Sequence, residues 1–301
     1  MLNLERLRTL DALARHGSVS AAADGLHVTT SAVSQQLAKL EREVGQQLLA
    51  KHGRGVRLTD AGLLLADHAA RILSQVKLAQ ADIEAQRGQV VGEVRLAGFP
   101  TVARGLFPLA VSALRRDHPD LLVRTAELEP EDGMRQVARG DTDLAVVLDW
   151  SNKRFPTPVG LNRAHLLDDT ADVAMPAGHP LAGRGEVDLR DFADDEWVSW
   201  PEGEACHDWL MFTLRSAGIE PRITHFAQEH HTQLAFVRAG LGVCVAPRLG
   251  RDPLPEGVAL VPVRHRLRRH IHATWRADAD RRPSIRAVVD ALREAGRRAA
   301  E

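Results

Sequence analysis

The chain has 301 residues, of which 44% are hydrophobic and 26% are charged. Its formal net charge is −1 and its pI is near 6.9, so bulk charge indicates neither a nucleic-acid-binding protein nor an enzyme for acidic substrates. A chain of this length is expected to form two or three compact units, and any electrostatic argument must be local.

The sequence carries no targeting or membrane signal. The N-terminal segment MLNLERLRTL has charges every few residues, unlike a signal peptide. No apolar run approaches the roughly 18–20 residues that span a bilayer. Cys206 and Cys244 form no CxxC motif, which favours a reducing compartment. We therefore expect a cytoplasmic protein with no membrane partner.

Residues 1–45 contain three amphipathic helical patterns. The first ends at Gly17, whose freedom to adopt a positive φ suits a helix end. Thr29 can cap the third pattern, TSAVSQQLAKLE (residues 30–41). Its apolar positions fall at i, i+4 and i+7, namely Val33, Leu37 and Leu40. The tight turn between the second and third patterns predicts a helix-turn-helix.

The polar face of the third helix is a candidate DNA-reading surface. Hydroxyl, amide and ammonium groups near a helix N-terminus can reach base edges and phosphates in a major groove. A solvated surface helix is the alternative, because short helix pairs are common. The candidate residues are Thr29, Thr30, Ser31, Ser34, Gln35 and Lys39.

The segment LLAKHGRGVRLTDAG (residues 48–62) is typical of a β-hairpin, with two short strands around a glycine-containing turn. It carries Lys51, Arg54 and Arg57, which can hold DNA phosphates and set the register. Residues 1–58 contain eight lysine or arginine residues against five acidic ones, a local net charge of +3. The pattern predicts a winged helix-turn-helix domain over residues 1–58.

Residues 18–62, SVSAAADGLHVTTSAVSQQLAKLEREVGQQLLAKHGRGVRLTDAG, resemble the DNA-binding domain of LysR-type transcriptional regulators. The family usually has Gln-Pro where this chain has Thr30 and Ser31, often Phe at Leu49 and often Arg at Gln35. These differences leave the expected fold unchanged. They alter the surface that would select a DNA sequence.

Residues 59–88 are predicted to form a long linker helix. Its apolar positions alternate in spacings of four and three residues, which is a heptad seam that needs another helix beside it. The resemblance implies a homodimer through this helix, with dimers often paired into homotetramers. Packing of the seam on the chain's own effector domain is the alternative. The seam residues are Leu65, Ala69, Ile72, Val76, Ala79 and Ile83.

From residue 89 onwards, strand patterns such as residues 143–148, 170–175 and 270–275 alternate with helical ones, which predicts an α/β domain. Four segments resemble the effector-binding domain of the same family: LFPLAVSALRRDHPDL, RGDTDLAVV, MPAGHPLAG and VRAGLGVCVAP. That domain is similar to type 2 periplasmic solute-binding proteins, with two α/β lobes crossed twice by the chain. Within residues 89–301, the predicted lobes are residues 89–163 with 267–301, and residues 164–266.

The resemblance implies a small-molecule effector in the cleft between the lobes. On that register Thr101 offers a hydroxyl to the effector, unless it serves only as a helix cap. An anionic effector held by Thr101 and helix amides, and a cationic one held by Glu129 and Glu131, both remain open. The effector-binding candidates are Thr101, Ser199, Pro130, Leu148 and His231.

Three further patterns carry less weight. His225, His230 and His231 lack the spacing of a metal site, so no metal or cofactor is expected. The row ACHDW does not indicate a nucleophile, because catalytic partners meet in space and are rarely sequence neighbours. The basic run RHRLRRH (residues 264–270) is expected to face water, with DNA contact as the alternative.

The sequence therefore predicts an α/β multidomain transcription regulator that binds double-stranded promoter DNA, responds to a small molecule and catalyses no reaction. An architectural DNA-binding protein without a ligand is one alternative. An enzyme on a solute-binding fold is another, although no acid, base or nucleophile pattern with suitable spacing supports it.

Overall fold

The computed structural model describes residues 2–26, 28–53, 55–85 and 90–300. The chain divides into two compact units, one of residues 1–89 with 138–141 and one of the remaining residues. Arg87 and Gly88, where the sequence indicates a break, lie outside the described residues. Among the described residues, no helix has both the length and the apolar character needed to cross a membrane.

The first unit is a three-helix head followed by a hairpin and a long helix. Its elements are α1 (Leu4–His16), α2 (Val19–Leu26), α3 (Thr30–Val44), β1 (Leu49–His52), β2 (Gly55–Leu58) and α4 (Asp60–Ala85). α1 stops at the predicted Gly17, with φ of 73°, and α3 stops at Gly45, with φ of 69°, at the end of the predicted helical range 1–45. The core contains Leu7, Leu10, Leu13, Ala22, Ala23, Val33, Leu37, Leu40, Leu48, Ala66 and Ala69.

The second unit alternates strands and helices. Its strands are β3 (Gly92–Gly98), β4 (Leu121–Glu127), β5 (Leu144–Trp150), β6 (Leu161–Pro176), β7 (Glu196–Ser199), β8 (Arg222–Phe226), β9 (Cys244–Pro247), β10 (Val258–Val261) and β11 (Leu267–Arg276). Its helices are α5 (Pro100–Gly105), α6 (Phe107–Asp117), α7 (Pro130–Arg139), α8 (Ala205–Ser216), α9 (His230–Arg238) and α10 (Pro283–Ala300).

A seven-stranded sheet runs through the second unit in the order β10-β6-β11-β5-β3-β4, with β9 also paired to β6. β3 is parallel to β4 and β5, whereas β11 is antiparallel to both β5 and β6. β7 and β8 form a separate parallel pair that touches the main sheet region through the Trp197–Val243 bridge. The fold is therefore a mixed α/β fold, as the sequence predicts.

β6 and β11 are the two strands that cross between the expected lobes, and we call them the crossing strands. β6 pairs with β11 over residues 161–171 and with β9 and β10 over residues 171–176. Both crossing strands are longer than the predicted residues 170–175 and 270–275. The extra length carries exposed polar residues such as His165, Asp168 and Arg268, so an apolar-run criterion misses it.

Candidate functional site

α3 buries its apolar stripe and exposes its polar side. Val33, Leu37 and Leu40 are at most 1% exposed within the head core. Thr29 has an extended backbone, and its Oγ1 accepts a hydrogen bond from the backbone N–H of Ala32 at 3.2 Å, as a helix cap should. All six candidates on this helix are exposed on its N-terminal and outer side: Thr29, Thr30, Ser31, Ser34, Gln35 and Lys39.

The predicted wing is present as the antiparallel pair β1–β2, with Gly53 at a φ of 57° in its turn. Arg57 lies opposite Ala50, and Lys51 lies opposite Val56. Since side chains of opposed residues share a face, Lys51 and Arg57 extend from opposite faces of the hairpin. Arg54 lies outside the described residues.

The wing is fastened to both α3 and α4. Glu41 Oε1, on α3, accepts the backbone N–H groups of Leu48 and Leu49 at 2.8 and 3.0 Å. Thr59 donates its hydroxyl to the Gln47 carbonyl at 2.8 Å and accepts the Gly62 N–H at 3.1 Å in the first turn of α4. The helix that would read DNA and the linker helix therefore share the hairpin as a common support.

The first part of the α4 heptad seam packs against the core of its own unit. Ala69 is fully buried in the head core, with Leu65 and Ile72 packed against the same core. Ala69 is thus unavailable to a partner helix, and the prediction for that residue is wrong because α4 also has to close the head. Further along, Val76 is half-buried, Ala79 is exposed and Ile83 is 67% exposed.

The second unit contains a buried polar network around Thr101. The Arg269 guanidinium is 2% exposed, donates from Nη2 to Thr101 Oγ1 at 2.8 Å and from Nε to Asp169 Oδ2 at 2.7 Å. Asp169 Oδ1 also accepts the Leu249 N–H at 3.0 Å. The N-cap of α5 is Phe99, so Thr101 is not merely a helix cap. The network links α5, both crossing strands and the segment after β9.

The burial of Arg269 contradicts the prediction that the whole basic run 264–270 faces water. Arg264, Arg266 and Arg268 are exposed, as expected, but Arg269 is buried because the strand alternation turns it inward. Its guanidinium also lies 5.4 Å from the centroid of the Phe99 ring. The sequence signal that identifies it is the alternation in β11, which becomes readable only when the strand's limits are known.

The other effector-binding candidates are divided between core and surface. Ser199 is fully buried, with its Oγ 3.0 Å from His207 Nδ1. Leu148 is buried within β5, and Pro130 is buried at the start of α7. His231 is half exposed, and its Nε2 lies 2.7 Å from Asp252 Oδ2. It therefore belongs to a surface ion cluster and does not line a buried cleft.

His230, the neighbour of His231, is partly buried, whereas His231 is exposed. Its ring packs edge-on against Trp200, with centroids 5.4 Å apart, and its Nδ1 is 3.3 Å from Gln233 Oε1. Burial, together with the charge of Arg269, lowers the pKa of His230 to about 3. The imidazole is therefore neutral at physiological pH.

Carboxylates also lie near this network. Burial, with the charge of Glu204, raises the pKa of Glu129 to about 6. Glu131 is exposed. A pKa of about 6 leaves Glu129 mostly ionised at neutral pH, and Arg269 is already paired with Asp169.

Both thiols are buried and weakly acidic. Burial raises the pKa of Cys206 to about 12 and that of Cys244 to about 12. Cys206 lies in the first turn of α8, and Cys244 lies in β9. Since the thiolate is the reactive form, neither is a strong nucleophile at neutral pH.

The three histidines of residues 225–231 are not gathered around one point. The His225 ring stacks on Phe236, with centroids 4.8 Å apart, whereas His230 and His231 have the separate partners described above. Another group of described residues does bring ligand atoms together: His165, Asp168 and His270. It joins residues 102 positions apart on the two crossing strands, so no sequence spacing pointed to it.

Two family models match the chain. Residues 4–63 match the bacterial regulatory helix-turn-helix protein, lysR family. Residues 87–297 match the LysR substrate binding domain. Together the matches cover both units.

Relatives and solved structures agree with these models over nearly the whole chain. The hydrogen peroxide-inducible genes activator of Pectobacterium carotovorum is 30% identical, over 97% of this chain and 96% of that protein. Full-length OxyR from Pseudomonas aeruginosa, with a cysteine-to-aspartate substitution, has a TM-score of 0.76 at 22% identity, covering 97% of this chain and 98% of that chain. CbnR in complex with its target DNA has a TM-score of 0.69 at 23% identity, covering 98% and 100%.

Proposed function

The chain belongs to the LysR family of transcriptional regulators, and from that premise we propose which of its surfaces read DNA, pair chains and bind the effector. It is a DNA-binding regulator with an effector-binding domain, and its relatives are regulators rather than enzymes. Because such a protein acts on promoter DNA, we assign it to the cytoplasm.

The outer side of α3 reads the major groove of promoter DNA. The observation that carries this proposal is the exposed polar face, from Thr29 to Lys39, above the closed apolar core of the head. Ser34 and Gln35 would contact base edges, whereas wing cations such as Arg57 would contact phosphates.

The test is an electrophoretic mobility assay of the full chain with the DNA upstream of its own gene. We expect preference for that DNA over a scrambled duplex of equal length and composition. Equal affinity for the two duplexes at several salt concentrations would contradict sequence-specific reading.

The C-terminal part of α4 pairs with a second chain. α4 has 26 residues and is about 39 Å long at about 1.5 Å per residue. Ile83, the last position of the heptad seam, is 67% exposed, and a heptad seam needs another helix beside it. Pairing here would present two heads to a two-fold related DNA site, and the pairs could assemble into tetramers.

Light scattering of the purified protein tests the pairing. Ile83→Glu should lower the measured mass toward that of one chain, whereas Leu254→Glu, at a 38% exposed loop position, should leave it unchanged. An unchanged mass for Ile83→Glu would move the interface away from this part of α4.

The effector binds beside the Thr101–Arg269 pair. The Thr101 hydroxyl and the Arg269 guanidinium are hydrogen-bonded to each other and lie on two different elements. A small polar molecule could replace this hydrogen bond with its own bonds to both groups, so that few hydrogen bonds are lost. Thermal shift against a metabolite panel tests this proposal, because a ligand at 100 times its dissociation constant stabilises by about 2.7 kcal/mol. Thr101→Val should abolish the shift, and a protein that ignores every metabolite would favour the architectural alternative.

The name of the relatives, hydrogen peroxide-inducible genes activator, suggests peroxide as a signal. The burial and low acidity of both thiols do not favour a peroxide response in this chain. With both thiol pKa values near 12, we propose that the protein responds to a reversibly bound ligand. Peroxide should leave Cys206 unmodified in the folded protein by mass spectrometry and should not change DNA binding. Rapid sulfenic acid or disulfide formation would contradict this.

A further inference from the structure

The exposed face of the crossing strands carries three potential metal ligands. His165 and Asp168 lie on β6, His270 lies on β11, and their ligand atoms are all within 4.8 Å of one another. Asp168 Oδ1 is 2.7 Å from His165 Nε2 and 2.7 Å from His270 Nδ1. One carboxylate oxygen thus lies between two imidazole nitrogens on neighbouring strands.

A β-bulge places His165 and Asp168 on the same face of the sheet. Residues three apart on a regular strand point to opposite faces. Here the pairing shifts: Ile271 lies opposite Leu167, but His272 lies opposite His165. The additional residue in β6 turns both side chains outward, with exposures of 53% and 45%. Bulges are a common means of re-aiming a side chain at a functional position.

The surroundings suit an ion. His270 Nε2, the ring nitrogen on the far side from Asp168, is 3.0 Å from Ser151 Oγ. With an ion on Nδ1, Nε2 carries the proton and can donate it to Ser151 Oγ, which would orient the ring as outer-shell partners of metal-bound histidines do. Arg163, on the same face of β6, is paired with Asp149 at 2.9 Å, so its charge is largely compensated.

We propose that His165, Asp168 and His270 bind a divalent transition-metal ion of the Zn²⁺ class, at a site separate from the effector cleft. Two imidazoles and one carboxylate match the ligand preferences of Zn²⁺, Co²⁺ and Ni²⁺, whereas Mg²⁺ and Ca²⁺ prefer oxygen ligands. Zn²⁺ bonds of about 2.0–2.1 Å place tetrahedral ligands about 3.3 Å apart, so the hydrogen-bonded atoms would separate by only about half an ångström. Water completes the coordination from the solvent side.

The position gives the ion a structural effect. The His270–Asp168 pair is the next cross-strand pair after Arg269–Asp169, and the two pairs face opposite sides of the same strands. A bound ion would replace two hydrogen bonds on the outer face by coordinate bonds. It would therefore restrict the twist of β6 against β11 beside the buried Arg269 network.

Isothermal titration of the tag-free full chain with ZnCl₂ tests the site. We expect one Zn²⁺ per chain, with no comparable binding of Mg²⁺. His165→Ala and His270→Ala should each weaken this binding more than about 10-fold, since even loss of an outer-shell partner weakens metal sites 10- to 100-fold. His265→Ala, at an exposed histidine outside the cluster, is the matched control and should bind Zn²⁺ as the unmodified chain does.

Co²⁺ provides a readout that does not depend on the variants folding. The unmodified chain should convert the spectrum of aqueous Co²⁺ into the stronger visible bands of a four- or five-coordinate nitrogen and oxygen site. The proposal is overturned if the chain leaves the aqueous Co²⁺ spectrum unchanged, or if the three histidine variants bind Zn²⁺ equally well.

Discussion

The buried Arg269–Asp169 ion pair gives the sharpest test of the structure. The two side chains are 3% and 5% exposed, and Nε and Oδ2 are 2.7 Å apart. Arg269→Met keeps a long side chain but leaves the Asp169 carboxylate with the Leu249 N–H as its remaining partner in this network. Removing one partner of a buried pair destabilises by about 3–5 kcal/mol, because an uncompensated charge stays buried.

For a unit of this size, about 1 kcal/mol corresponds to about 2–4 °C, so Arg269→Met should lower the melting temperature by roughly 6–20 °C. Arg264→Met is the control, because Arg264 belongs to the same basic run but pairs with Glu186 at the surface, where such pairs contribute about 0–1 kcal/mol. Scanning calorimetry of the full chain measures both.

The double variant Arg269→Met with Asp169→Asn isolates the interaction. Asp169→Asn alone leaves the guanidinium buried without its counter-charge, so each single change should be severe. Both together remove the pair, and the combined loss should be smaller than the sum of the single losses by more than about 1 kcal/mol. Strict additivity, or an Arg269→Met as mild as Arg264→Met, would refute the reasoning.

Three other changes test separate features. Gly62→Ala would place a Cβ 2.2 Å from the Leu48 carbonyl oxygen, so we expect the free energy of unfolding to fall by about 1–3 kcal/mol in urea titration. Gly178→Ala is the control and should change it little, because a Cβ there meets nothing within 4 Å; equal losses for the two variants would contradict this. The pKa of Glu129, about 6 and so above its usual 4.5, means that stability falls as pH rises through that interval. Glu129→Gln should therefore make stability less dependent on pH and raise it by about 1 kcal/mol at pH 8, allowing for partial exposure. Melting curves of the variant that still show the fall in stability with pH would place its origin in another group. Gln35→Ala should change base preference at one position by about 1–3 kcal/mol, whereas Arg57→Ala should weaken all sequences alike and reduce the salt slope, in selections from randomised DNA; identical selection profiles would refute this division.

The sequence was sufficient for the head because its signals are local. The apolar stripe of α3, the cap at Thr29 and the stops at Gly17 and Gly45 each involve neighbours along the chain, and all are found in the structure. The α4 seam shows the limit of the same reasoning. Periodicity identifies an apolar stripe but not the surface that covers it, so Ala69 was assigned to a partner although its own head covers it.

The second unit was harder to predict where function depends on pairing between distant strands. Thr101 was chosen from the resemblance to the family, but its hydrogen-bond partner Arg269 is 168 positions away in the chain. Whether a residue of β11 faces inward or outward depends on the register and the bulge, which a single sequence does not specify.

The hairpin's two fastenings have a mechanical consequence. Glu41 ties it to α3, and Thr59 ties it to the first turn of α4. Because these hydrogen bonds hold the hairpin at two points, we expect α3, the hairpin and α4 to rotate together. A torque applied to the long helix is therefore expected to reach α3, whose polar face we propose as the base-reading surface.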